Sequence, residues 1–328
     1  MPEKKTTKPK STKSSSSGTS KKSGSTRSKS QKHIKLTFKE LIILAVALLV
    51  LFVAYQFSPA VRNVVDSVLT EIISIESGEE VAEDSGGTEL SDVDVSDEYL
   101  LPVCPEGHDH IRCNYTGYSL CYRESYEQAE WAATCLTRKK VNKKASGRTD
   151  NFRPDPAVPT GSSTLADYKG SGYDRGHLVP AADLSWSEKS MDDSFYMTNM
   201  SPQAPDFNRG IWKELEEQVR DWAKEFGTVY TVSGPVLDKK KYKTIGASKV
   251  AVPEYYYKVL LAHTDKGKWS AIGFILPNAG SEKAFIEFAV PVDEVERRCN
   301  IDFFAPLDDA DEAVLESSFD AKFWGLKK

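Results

Sequence analysis

Between Asn208 and Phe226 apolar side chains return at every third or fourth position, at Ile211, Leu215, Val219, Trp222 and Phe226, and Gly227 follows. That is the period of one helix face with a stop signal behind it, and it predicts a helix over 208–226. Elsewhere the pattern is that of strands. Tyr118–Tyr122 and Glu130–Thr137 alternate aromatic and small apolar residues on either side of a polar turn. Thr228–Val232, Tyr255–His263 and Trp269–Leu276 are further strand-like runs, the last two joined by the turn Asp265-Lys266-Gly267. Pro291–Arg298 and Asp308–Ser318 read as short closing helices. Strands and helices occupy separate stretches instead of alternating, so the expected fold class is α+β, with a central antiparallel sheet flanked by helices.

One apolar run is of another kind. Leu41–Phe57 carries no charge, and extended through Ala60 it makes about 25–30 Å of helix, enough to cross a hydrocarbon core. It is read as one transmembrane helix over 40–60, preceding the folded domain. A cleaved signal peptide is the alternative; the 39-residue leader and the lack of a clear small-residue cleavage site stand against it.

Charge divides the chain further. Residues 1–39 hold 12 basic and 1 acidic side chain among Ser and Thr, a basic disordered tail; residues 40–99 hold 1 basic and 13 acidic. Lys32, Lys35 and Lys39 precede the span and only Arg62 follows it before residue 100. The positive-inside bias then predicts a single-pass cell-membrane protein, N-terminus cytoplasmic and the folded domain extracytoplasmic. Val64, Val65, Val68, Ile72 and Ile73 extend the anchor helix or form a seam through which a homodimer would pair. Residues 61–99 form an acidic linker, and 100–328 form the domain. With 30 bases against 34 acids, that domain lacks the overall positive charge of a tight, salt-insensitive nucleic-acid binder.

All five cysteines, Cys104, Cys113, Cys121, Cys135 and Cys299, lie in the domain. An extracytoplasmic location permits disulfides, and the odd count leaves a thiol over. Cys104 to Cys113, with His108 and His110 between, is read as a disulfide-closed loop, since its spacing fits no zinc pattern. The pairing stays open.

Chemistry concentrates between Ser171 and Glu216. Asp174-Arg175-Gly176-His177 sets a guanidinium beside an imidazole, with Gly176 permitting a tight backbone. Phosphodiester cleavage needs both functions: a base for water near neutral pH, and a cation for the charge that develops on phosphorus. Asn199 and Asn208 add neutral amide oxygens and Glu216 a carboxylate. A His beside an Arg is commonly a structural pair; the ordered set DRGH, TNMSPQ (198–203) and DFNRGIWKELE (206–216) is far more specific.

Together with FRPDPAVP (152–159), TVYTVSGPVL (228–237), VAVPEYYYKVLL (250–261) and VDEVERRCNIDFF (292–304), that set makes the chain from Tyr118 to Trp324 resemble a known family. It is similar to the DNA/RNA non-specific endonucleases, the ββα-metal (His-Me finger) nucleases with a DRGH motif. The resemblance implies His177 as general base, Asn208 as the direct protein ligand of one Mg²⁺ (Mn²⁺ as substitute), and Glu216 as holder of a metal-bound water. It implies Arg175 as transition-state stabiliser, Asn199 as a residue shaping the site, and Asp174 as orienter of the loop. It departs at Asp150, where some relatives carry a second catalytic arginine; Arg148 or Arg153 could take that place, and Arg148 is carried as a substrate contact. Read alone, the basic run over 138–153 is a solvated loop. Beside a nuclease site, Lys139, Lys140, Lys143 and Lys144 become a phosphate-tracking surface. The expected partners are DNA and RNA, single- or double-stranded, and a membrane through residues 41–60. The alternatives are a surface nucleic-acid receptor with a degenerate site and a narrower phosphodiesterase.

Overall fold

A computed structural model describes residues 87–89, 100–107 and 109–326, all within the unit Glu83–Lys328. The basic tail, the expected transmembrane span, the expected dimer seam and most of the acidic linker lie outside the described residues. Among the described residues no helix is long and apolar enough to cross a membrane.

The strands in chain order are β1 (Thr88–Glu89), β2 (His110–Tyr115), β3 (Tyr118–Arg123), β4 (Gln128–Thr137), β5 (Asp174–His177) and β6 (Met200–Gln203). They continue as β7 (Gly227–Pro235), β8 (Lys243–Ile245), β9 (Val250–Val252), β10 (Tyr255–Thr264), β11 (Lys268–Pro277) and β12 (Ala289–Val290). The helices are α1 (Arg138–Asn142), α2 (Leu165–Tyr168), α3 (Glu188–Asp193), α4 (Pro205–Asn208), α5 (Ile211–Phe226), α6 (Val292–Cys299) and α7 (Asp309–Glu316). Eight strands form one antiparallel sheet, β1-β11-β10-β7-β4-β3-β2, with β12 also beside β11. The expected α+β antiparallel architecture holds.

Both faces of the sheet are covered, which explains why β10 reads as a nearly unbroken apolar run. Tyr256, Leu260 and Ala262 share a core with Ile211, Trp212, Leu215, Val219 and Trp222 of α5. Tyr257, Val259 and Leu261 share a second core with Val292 and Val295 of α6 and Leu315 of α7. Lys258 interrupts the run and is nonetheless 2% exposed.

Three local expectations change. The long helix begins at Ile211, not Asn208, and Asn208 instead ends the separate turn α4. Gly210 makes that break, because a Cβ there would lie 2.5 Å from the Asp206 carbonyl oxygen. The basic run read as a loop opens with helix α1, whose first turn is capped where Thr137 Oγ1 accepts from the Lys140 N–H at 3.2 Å. Finally, Cys104 is bonded to Cys121 rather than closing a loop with Cys113, and so ties the segment before β2 to β3.

Candidate active site

The DRGH residues are strand β5, paired antiparallel to β6 with Gly176 opposite Ser201 and His177 opposite Met200. Gly176 is required there: a Cβ would sit 2.1 Å from the buried Gln203 side chain. His177 is 9% exposed and packs in a triangle of rings with Phe152 and Phe195, whose centroids lie 5.8 and 5.2 Å from it and 5.0 Å from each other. Its Nε2 has no hydrogen-bond partner among the described residues. Burial, then the positive charges of Arg148 and Arg175, push the imidazole down to about 3, so it is neutral at physiological pH.

The two arginines stack on the same rings. Arg175 lies 4.5 Å from the Phe152 centroid, and its buried Nε has no partner among the described residues. Arg148 lies 5.0 Å from the Phe195 centroid and pairs with Asp150 at 2.7 Å. Arg153 is engaged elsewhere, paired with Asp192 at 2.7 Å and 3.9 Å from the Tyr196 ring centroid. Of the two candidates for the missing arginine, the charge of Arg148 is the one felt at His177.

Asp174 organises the other end of the motif. Its carboxylate accepts from Asn208 Nδ2 at 3.0 Å and from Arg209 at 2.8 and 2.7 Å. Burial alone would raise the Asp174 carboxyl, but these hydrogen bonds and the Arg209 and Arg175 charges outweigh it and hold the group below the usual carboxylate range. With Nδ2 committed to Asp174, the atom Asn208 has left to offer is an oxygen. Asn199 is fully buried and spent on backbone: Nδ2 donates to the carbonyls of Val179 and Ser194, and Oδ1 accepts from the Val179 N–H, each at 3.0 Å. It pins the chain two residues past His177.

Glu216, on α5, is half-buried in a charge cluster with Lys258, Asp183, Arg220 and Glu217. Burial pushes its carboxyl up, against the attraction of Lys258; burial likewise pushes the Lys258 ammonium down, against the pull of Glu216 and Asp183. Arg220 donates to the buried Asp183 at 2.8 Å. Beside this cluster runs a cleft of about 580 Å³ whose charged lining is Lys144, Arg148, Arg220 and Lys224, with no acid among its walls. Lys139 and Lys143 are exposed and outside that lining, and Lys140 lies over the Trp186 ring, 5.5 Å from its centroid.

The sequence pattern of the DNA/RNA non-specific endonucleases matches residues 97–310. The chain belongs to this family. Human mitochondrial endonuclease G is 36% identical over 198 residues, covering 57% of this chain and 67% of that protein. Mitochondrial nuclease EXOG of Xenopus laevis is 35% identical over 235 residues, 64% of this chain and 65% of that protein. Nuclease C1 of Cunninghamella echinulata is 37% identical over 205 residues, covering 58% and 81%. For endonuclease G and EXOG the match thus spans about two thirds of the relative. A chain in the crystal structure of an EndoG/EndoGI complex superposes with a TM-score of 0.56 at 32% identity, covering 60% of this chain and 86% of that one. Within the DNA/RNA non-specific endonuclease family, the chain is an enzyme that hydrolyses nucleic acid.

The relatives correct one expectation. Placement in the cell membrane with the catalytic domain outside does not stand, because endonuclease G and EXOG are mitochondrial proteins. A basic, Ser-rich, acid-poor leader is also the composition of organelle-targeting segments, so the charge pattern does not by itself select a membrane.

Several residues gathered at this candidate site carry little or no signal in the sequence. Arg220 was accessible in principle, four residues after Glu216 on one helix face. Arg209, next to Asn208, carried no signal of its pairing with Asp174, and Lys258, Asp183, Phe152 and Phe195 meet the motif only through the fold.

Proposed function

We propose that residues 100–328 form a divalent-cation-dependent endonuclease domain hydrolysing phosphodiester bonds of DNA and RNA with little sequence preference. One observation carries the reading: a buried, neutral imidazole with an unpartnered Nε2, packed against two rings that each carry an arginine. In this reading His177 takes the proton of the attacking water through Nε2. Arg175 and Arg148 receive the phosphate oxygens, and the free Arg175 Nε is a donor for one of them. As the phosphate offsets those two charges, the basicity of His177 rises toward the range a general base needs. Phe152 and Phe195 restrict the imidazole's orientation, and Asn199 fixes the backbone behind it.

The donor set fits a hard divalent cation. The Asp174 clamp commits the Asn208 amide nitrogen, and Glu216 adds a carboxylate; both offer oxygen, which suits Mg²⁺ or Mn²⁺. Asn208 would be the direct ligand, with Glu216 holding a water of the ion's shell. Such an ion, when bound, neutralises charge on the phosphate and the leaving oxygen. Lys144, Arg148, Arg220 and Lys224 would track the backbone along the cleft, reading phosphates rather than base edges, which is why DNA and RNA are both substrates.

The test is incubation of the purified protein with plasmid DNA and with RNA, with Mg²⁺ or with EDTA. Endonucleolytic loss of both substrates that EDTA abolishes is expected. Persistent binding without cleavage in any divalent cation would favour a receptor instead.

A further inference from the structure

On the sheet face opposite α5, three carboxylates converge from two helices. Asp293 and Glu296 stand three residues apart on α6, and Glu316 closes α7. One oxygen from each lies within 4.8 Å of the others. Asp293 alone is unremarkable, because an acid in the first turn of a helix complements its dipole. Glu316 is not so explained. It is 5% exposed, and its Oε1 has no hydrogen-bond partner among the described residues. A buried carboxyl oxygen left unpartnered beside two further carboxylates is unfavourable unless a cation or a proton meets it.

No basic side chain of α6 does so. Arg297 reaches back to Glu294 at 3.1 and 2.5 Å, and Arg298 lies over the Tyr255 ring and 3.9 Å from Asp238. Acidic charge accumulates instead. Glu312 and Asp302 add to the negative field around Glu316, beside Asp293 and Glu296. Glu296 is partly anchored, its Oε1 accepting from the Phe303 N–H at 2.9 Å, so the cluster has a preset shape.

We propose that Asp293, Glu296 and Glu316 bind a calcium-like divalent cation that clamps α6 to α7, away from the candidate active site. The donors are all oxygen, with no imidazole or thiolate in the set, which selects a hard cation over zinc. Calcium suits the set better than magnesium: it takes six to eight oxygens in flexible geometry, whereas magnesium demands a near-ideal octahedron that carboxylates from two separate helices do not preset. The open side, where Asp293 is exposed, leaves room for the waters that complete the shell.

Calcium titration calorimetry on the full chain, wild type against Asp293→Asn, Glu316→Gln and Asn208→Ala, tests this. A melting curve with and without CaCl₂ accompanies each titration. Asn208→Ala separates this site from the catalytic one, and the exposed Asp293 gives a variant whose folding is not at stake. Wild type and Asn208→Ala should bind Ca²⁺ at this site and melt higher with it. Asp293→Asn and Glu316→Gln should weaken that binding at least about tenfold, because ligand charge sets calcium affinity. A calcium isotherm and melting shift unchanged in Asp293→Asn would overturn the assignment, as would no calcium binding by wild type. A Glu316→Gln protein more stable than wild type without calcium, in a chain that binds none, would mark the cluster as a shared-proton site.

Discussion

The buried imidazole makes a quantitative prediction about stability. In the unfolded chain His177 binds a proton near pH 6.5, while in the fold burial and two arginines delay that proton to about pH 3. Between those values the unfolded state binds more protons, so stability falls as pH falls through that window and is fully present above it. At pH 5 the loss from this one group is about 2 kcal/mol relative to pH 7.5 or above. The figure barely depends on the folded value, provided it lies below about 4. Urea unfolding in EDTA at pH 7.5 and pH 5, on wild type and His177→Gln, reads it out. Other titrating groups contribute equally to both proteins and cancel in the comparison. Wild type should lose about 2 kcal/mol more than the variant between the two pH values, or roughly 1 M in urea midpoint at an m-value near 2 kcal/mol/M. Equal losses would show that the imidazole titrates as if exposed, and the buried neutral base would fail.

Three further outcomes follow from the same geometry. Substrate phosphate offsets Arg148 and Arg175, so the acid limb of kcat, which reports the complex, should lie at higher pH than that of kcat/KM, which reports the free enzyme; coincident limbs would deny the coupling. Asp174→Asn weakens the clamp that turns the Asn208 oxygen outward and should raise the Mg²⁺ requirement about 10- to 100-fold, with Asn208→Ala worse still; activity profiles against Mg²⁺ matching wild type in both would remove Asn208 from the ion. Replacing Lys144 and Lys224 by Gln should flatten the plot of log KM against log salt on duplex DNA by a slope of about 2, whereas replacing Lys139 and Lys143, outside the cleft, should change it less.

What the sequence disclosed depended on whether a signal was local. The α5 face was readable because its period is written into five residues, and the antiparallel sheet because its strands follow one another. The break at Gly210 was not, since it reflects a close approach to the Asp206 carbonyl that no propensity encodes. The motif residues were legible as a set, but their geometry was not. That Asp174 holds Asn208, and that Asn199 spends its amide on the Val179 backbone, depends on pairing β5 with β6. Lys258 is the hardest case: a charge inside an apolar strand reads as a surface residue until Asp183, Glu216 and Arg220 are brought around it. Cellular placement failed for a different reason. Flanking charge was treated as a report on one membrane, when several targeting routes read the same composition.

The central claim is that His177 is the general base, and single-turnover cleavage of a defined duplex by His177→Ala tests it most directly. The rate should fall by at least about two orders of magnitude, with DNA affinity near that of wild type. Cleavage by His177→Ala at close to the wild-type rate, in a folded protein, would contradict the account.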